Sequence, residues 1–409
     1  MKSFGKIFVI VVVLSLLAGC SGAAQPPAAT QPPAAATEPP AVEAPLTAQE
    51  QWLKDNQLGQ YDTGEQDWAA IEAAAIKEGS VLVYANTSKV GKAADAFMEK
   101  YPGIKMEGFD LGGDDVLSKV VGEQQAGAFT GDVWFSSGGA ELVGNVMPHQ
   151  YVWRFVPSDL TATIAPELTE PLLVSRFGTR VLAYNSELNK SCPVTNLWEL
   201  TDAKWAGKVF IEDPLNDEST LSILLTIASK ADDMKAAYVE LYGSEPVLDA
   251  DTPDAGWLWL KRFAQNGPIP EPGGDEVDSA FATPGMKDSY MAFTSYSNYP
   301  DVQDGNLAFE PCWGAKPVMG VQNQSYVGVL NQAPHPNAAK LFIHFVMTEG
   351  RDPWAKFGTY FPDSSYVVPE GMKTFEEIRS MTWMMDETYA YENLINGRDF
   401  YLLNLAAPK

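Results

Sequence analysis

Apolar and polar positions change period several times along the chain, and each change predicts an element. Thr47-Ala48-Gln49-Glu50 has the spacing of a capping box and opens a short helix to about residue 58. Residues 68–77 are amphipathic and end at Gly79, a helix with its stop signal. Short apolar runs then alternate with amphipathic stretches. Val81-Leu82-Val83-Tyr84 reads as a buried strand, residues 92–101 as a helix and residues 104–109 as a strand. Residues 114–126 form the next helix, and Asp132-Val133-Trp134-Phe135 the next strand. A second series starts near Phe177. It has strands at Val181-Leu182-Ala183-Tyr184 and Lys208-Val209-Phe210-Ile211, helices over residues 219–230, 234–242 and 255–265, and a strand over residues 290–296. A strand at Tyr326-Val327-Gly328-Val329-Leu330 follows. The helix after it starts with Pro336, suited to a first turn, and carries Leu341, Phe342, Phe345 and Val346 as one apolar stripe. Strands alternating with helices predict an α/β fold around a mostly parallel sheet. No internal repeat is present.

The first 45 residues follow neither period. Lys2 and Lys6 precede an apolar run over residues 7–17, and Leu17-Ala18-Gly19-Cys20-Ser21 comes next. A basic start, a short apolar core and small residues describe a secretory signal over residues 1–19. The apolar run is about half of the roughly 20 residues that a spanning helix needs. Cys20, directly after the small pair, resembles the cysteine of a bacterial lipobox. That likeness implies a lipidated Cys20 as the new first residue, on the outer side of a cell membrane. Between Ser21 and Pro45 the chain is almost entirely Ala, Pro, Gln and Thr, with doublets Pro26-Pro27, Pro32-Pro33 and Pro39-Pro40. Such a segment has too few large apolar side chains to offset its ordering entropy, and its prolines keep it extended. Residues 20–46 are expected to tether a soluble body to the membrane.

Roughly 360 residues remain, more than one core usually serves, so two lobes are expected. A composition of 45% apolar residues with 11 tryptophans supplies material for large cores. The formal net charge is −25, or −27 once Lys2 and Lys6 leave with the signal. So acidic a surface disfavours nucleic acid and anionic lipid, both polyanions. No later stretch is apolar enough to span a bilayer, which leaves the lipid as the expected anchor. Cys192 and Cys312 form an even pair that an exported chain can join as one disulfide or keep as two buried thiols.

Three histidines, His149, His335 and His344, and no G-x-S-x-G or H-E-x-x-H motif leave little for catalysis. His335 reads as a helix-start residue. Asp114-Asp115 and Asp232-Asp233 are neighbours that do not share a helix face, and read as solvated or capping carboxylates. An enzyme is therefore disfavoured; no cofactor or resident metal is expected.

Four stretches in order resemble the extracellular solute-binding proteins of ABC importers, in the branch that includes ferric-ion-binding proteins. They are Val81-Leu82-Val83-Tyr84 leading into Phe97-Met98-Glu99-Lys100-Tyr101-Pro102-Gly103-Ile104; Thr130-Gly131-Asp132-Val133-Trp134-Phe135; Leu182-Ala183-Tyr184-Asn185 through Leu197-Trp198-Glu199-Leu200 and Lys204-Trp205-Ala206-Gly207-Lys208; and Ala333-Pro334-His335-Pro336-Asn337-Ala338-Ala339-Lys340-Leu341-Phe342. The resemblance implies a type II periplasmic-binding-protein fold: two α/β lobes joined by crossing strands, closing like a hinge on a ligand in the cleft. It places lobe 1 at residues 47–178 plus about 318–348, lobe 2 at residues 179–317, and a helical segment at residues 349–409 across both. It implies a monomer that hands a small-molecule solute to a membrane permease. A ferric-iron-binding protein of an iron importer is one alternative; a lipid-anchored exported enzyme or a ligand sensor on the same fold is the alternative of another class.

In open α/β sheets ligands sit beyond the carboxyl ends of strands, where helix N-termini favour anions. The loops at those positions are Asn86-Thr87-Ser88, Ser136-Ser137-Gly138-Gly139 and, in lobe 2, the helix start Ser219-Thr220. Each alone reads as a cap or turn; three hydroxyl-bearing turns together favour a binding role. The ferric branch uses a histidine, a carboxylate and a pair of tyrosines. Ser88 and Ser137 fall at the first two of those positions, and Tyr296 and Tyr299 in the region of the pair. Serine hydroxyls are poor ligands for a hard ferric ion, so the site favours an oxyanion: a phosphorylated, phosphonate or carboxylate solute. Arg176 and Arg180 offer bidentate contacts to such a group, or pair with surface carboxylates. Tyr296 and Tyr299 stack on the solute, or Tyr296 packs in the core.

Overall fold

The computed structural model describes residues 45–405. The signal, Cys20 and nearly all of the tether lie outside the described residues. Eleven strands form one sheet. They are β1 (Ser80–Ala85), β2 (Lys105–Asp110), β3 (Val133–Ser136), β4 (Val152–Trp153), β5 (Leu173–Asn185), β6 (Val209–Glu212), β7 (Ile269–Glu271), β8 (Met291–Ser295), β9 (Phe309–Pro311), β10 (Gly320–Leu330) and β11 (Thr382–Met384). The path across the sheet is β2-β1-β3-β10-β5-β8-β6-β7.

The sheet is mixed, which corrects the expectation of a mostly parallel one. β1 runs parallel to β2 and β3, and β6 parallel to β7 and β8. Between these groups β10 pairs antiparallel with β3 and β5, and β5 antiparallel with β8. β5 is 13 residues long and β10 is 11, well beyond the apolar runs at 181–184 and 326–330. Their middles carry Arg176, Thr179, Arg180, Gln322, Asn323 and Gln324, and these polar residues hide the strand period. One end of β10 pairs with β3 and the same end of β5 lies beside it; the other end of β5 pairs with β8.

Helices cover both halves. Trp68–Glu78 and Pro336–Met347 pack together beside β1, and the predicted stripe of Leu341, Phe342, Phe345 and Val346 is buried. Phe342 meets Phe97 and Phe135 edge-on, at 5.8 and 6.0 Å between ring centroids. In the other half Glu218–Ser229, Ala255–Gln265 and Glu387–Leu405 pack on one another. Trp198, Trp259 and Phe263 are fully buried there. Glu387–Leu405 also touches the turn Leu142–Val146, reaching from one half to the other. Cys192 and Cys312 form a disulfide with Cα atoms 5.1 Å apart across a sequence separation of 120. Among the described residues no helix is long and apolar enough to cross a membrane.

Candidate functional site

Parallel pairing sends the loops after β1, β2 and β3 out of the same sheet edge, and the loop after β6 comes to face them across the middles of β5 and β10. Two cavities open where these segments meet. One, of about 260 Å³, is lined by Gly112, Gly113, Asp114, Asp115, Gly138, Gly139, Glu141, Asp217, Glu218, Ser219 and Ser222 among others. The second, of about 220 Å³, is lined by Thr87, Lys89, Arg176, Gly178, Ser297, Ser325, Trp354, Lys356 and Thr359 among others. Asn86, Ser137 and Asn323 line both, so the two are chambers of one cleft. At this waist Asn86 Nδ2 donates to Ser137 Oγ at 2.5 Å, and Asn323 Nδ2 donates to Ser219 Oγ at 3.0 Å. Asn86 Oδ1 is buried with no hydrogen-bond partner.

The chambers carry opposite charge. Lys89, Arg176 and Lys356 line the second, and none of them is ion-paired among the described residues. The Arg176 guanidinium lies 4.8 Å from the Phe135 ring centroid and 5.3 Å from that of Trp354. Its Nη1 is buried and has no partner. Burial pushes the guanidinium down to about 10, so it stays charged at neutral pH. Burial, with Lys356 and Arg176 nearby, pushes Lys89 down to about 8. Lys89 is also the N-cap of the helix Val90–Lys100, where the helix dipole disfavours a cation. Three cations without an ion pair thus lie together, a local positive charge in a chain of net charge −25.

The first chamber collects Asp114, Asp115, Glu141, Asp217 and Glu218. Asp217 caps its helix, accepting from the Thr220 N–H at 2.6 Å, and Glu141 accepts from Asn145. Burial, then Glu141, Asp114 and Asp217, push Glu218 up to about 7, while Arg398 pulls the other way. Among the described residues no three His, Cys, Asp or Glu side chains are grouped to hold a metal ion.

Asn86, Thr87, Ser137, Gly138, Gly139, Arg176 and Ser219 line the cleft. Ser88, Ser136, Arg180, Thr220, Tyr296 and Tyr299 do not. Ser88 points to solvent and Ser136 is buried in β3. Arg180 Nη2 pairs with Glu212 Oε2 at 2.6 Å, and Thr220 is buried near the same carboxylate. Tyr296 packs among Tyr299, Trp313 and Phe357, while Tyr299 donates to Glu310 at 2.5 Å. Burial raises both phenols well above their ordinary value. Asp114 and Asp115, expected as solvated or capping groups, both open helix Gly113–Ala126 and line the acidic chamber. Lys89, Lys356, Asn323, Glu141 and Glu218 were not legible as site residues. A lysine at a helix start, right after a hydroxyl pair, was the available signal for Lys89. His335 starts its helix as expected, with Nδ1 3.0 Å from Asp132 Oδ2.

No protein-family model matches the chain, and no curated protein matches it. Solved structures do. Iron-bound HitA from Pseudomonas aeruginosa aligns with a TM-score of 0.61 at 20% identity, over 78% of this chain and 99% of that one. The periplasmic binding protein AfuA from Actinobacillus pleuropneumoniae, with exogenous fructose-6-phosphate bound, aligns with a TM-score of 0.58 at 16% identity, over 80% and 98%. The substrate-binding protein of an ABC transporter from Agrobacterium tumefaciens gives 0.59 at 15% identity, over 80% and 94%. The chain thus has the type II periplasmic-binding-protein fold that the four stretches implied.

Proposed function

We propose that this chain is the solute-binding protein of an ABC importer, and that it captures a small oxyanion-bearing solute in the cleft between its halves. The observation that carries this reading is the cluster of Lys89, Arg176 and Lys356 in the second chamber, with no carboxylate among the described residues ion-paired to them. Leaving three cations uncompensated costs stability, and a phosphate, phosphonate or carboxylate would repay it through charge-assisted hydrogen bonds. The likeness to AfuA, solved with a phosphorylated sugar, supports the same class. The likeness to iron-bound HitA offers ferric ion as a cargo, but Tyr296 and Tyr299 are engaged away from the cleft lining. The fold supports a binding role over an enzymatic one.

In this reading β5 and β10 join the lobes, and the segment from residue 349 bridges them. A lipidated Cys20 and an extended tether hold the monomer outside the cell membrane, within reach of the permease. A thermal-shift screen of the purified protein against phosphorylated sugars, phosphonates, carboxylates and ferric salts tests the proposal. An oxyanion class should raise the melting temperature. Stabilisation by ferric ion alone, with a tyrosinate-to-iron colour, would overturn it.

A further inference from the structure

Resting on the oxyanion reading, the geometry points to a zwitterionic solute: the cleft takes an oxyanion in the basic chamber and an organic ammonium group in the acidic one. The two chambers meet at Asn86, Ser137 and Asn323, so one small molecule passing that waist touches both. An oxyanion alone would occupy the chamber of Lys89, Arg176 and Lys356 and leave the other unexplained.

That other chamber is not an ordinary acidic surface. Its five carboxylates come from three separate segments, the helix start at Gly113, the cap and first residue of the helix Glu218–Ser229, and the short turn ending at Glu141, all lining one cavity. None of the five is ion-paired among the described residues. Ser222, one turn beyond Glu218, is 1% exposed, lines the same cavity, and its Oγ has no hydrogen-bond partner. A buried hydroxyl facing the chamber without a partner is a polar group waiting for one. At the waist, Asn86 Oδ1 is a second unpartnered polar atom, and it can only accept. Carboxylates and an amide oxygen, which accept, beside a hydroxyl that can accept as well as donate, match a group that only donates.

An ammonium has that character: three donors, no acceptor and a positive charge. A bare metal ion fits less well, because the carboxylates line the cavity without three of them grouping for coordination. Arg398, whose charge acts on Glu218, is exposed and is not among the residues lining the chamber. The site thus asks for a solute with its positive charge at one end and its negative charge at the other.

The test is calorimetric titration of phosphoethanolamine and its longer ω-aminoalkyl homologues, each against the matching alkyl phosphate that lacks the amine. At least one amine-bearing probe should bind about tenfold or more tightly than its partner. In Glu218→Gln and Asp114→Asn that advantage should shrink, while the affinity of the plain alkyl phosphate stays level or improves. Circular dichroism of both variants separates misfolding from lost recognition. Equal affinity for both members of every pair, or an advantage that survives both substitutions, would overturn the zwitterion and leave the oxyanion reading standing. Binding of neither member of any pair, with carboxylate and amino-carboxylate pairs equally silent, would overturn both.

Discussion

Replacing Glu218 by Gln removes one charge from the acidic chamber at nearly constant volume, and should stabilise the ligand-free protein at neutral pH. Burial and the neighbouring Glu141, Asp114 and Asp217 push this carboxyl from its ordinary 4.5 up to about 7. A carboxyl raised in the folded state holds its proton more tightly there than in the unfolded chain. Its contribution to stability is therefore complete below about 4.5 and lost as pH rises through about 7. A rise of that size corresponds to about 3 kcal/mol. Solvent reaching the half-buried group screens part of it, which leaves ~1–2 kcal/mol. Urea unfolding at about pH 8 should find Glu218→Gln more stable than the natural protein by that amount, and the two should converge at about pH 4. Because only the difference between the proteins is read, titration of carboxylates remote from Glu218 cancels. Equal stability at the higher pH, or a less stable variant there, would refute the picture of a carboxylate buried among like charges.

The basic chamber should show the opposite sign. Lys89, pushed down to about 8, loses its charge in the free protein above that pH. Binding of a phosphate monoester should then weaken roughly tenfold between about pH 7 and 9, with proton uptake on binding, and Lys89→Met should flatten the profile. Gly320 lets the two long strands meet: a Cβ there would lie 2.0 Å from the Arg180 carbonyl oxygen. Gly320→Ala should cost about 1–3 kcal/mol in urea unfolding, and an unchanged midpoint would contradict the close pairing. Reducing Cys192–Cys312, which closes a separation of 120 residues, should cost up to about 5 kcal/mol through the freed unfolded chain. A Cys192→Ser, Cys312→Ser double variant of undiminished stability would count against that role.

Much of the scaffold was legible because apolar period reports burial directly. Val81-Leu82-Val83-Tyr84, the stripe on Pro336–Met347 and the loops after β1 and β3 all lie where the pattern put them. The long strands were under-read for a physical reason. Their middles form the floor of the cleft, so Arg176, Asn323 and Ser325 stand where a core strand would carry apolar residues. The same cause hid half of the site. Lys356 follows the 3-10 turn Glu349–Trp354, in a stretch with no clear period, and reaches the cleft only through tertiary packing. Asp114 and Asp115 stand out in the sequence, but a carboxylate in a first helical turn has an ordinary reading as a dipole partner. Only the arrival of Glu141, Asp217 and Glu218 at the same cavity separates that reading from a binding wall. Ser88 and Arg180 mislead in the reverse direction: one turns to solvent, and the other spends its charge on Glu212.

The central claim is that Lys89, Arg176 and Lys356 hold an oxyanion. Its most direct test is calorimetric titration of the oxyanion that most stabilises the natural protein into Lys356→Gln and Arg176→Gln, both checked for native circular dichroism. A hydrogen bond to a charged group contributes about 1.5–3 kcal/mol, so each substitution should weaken binding by roughly 10- to 150-fold. Unchanged affinity in both folded variants would contradict the account.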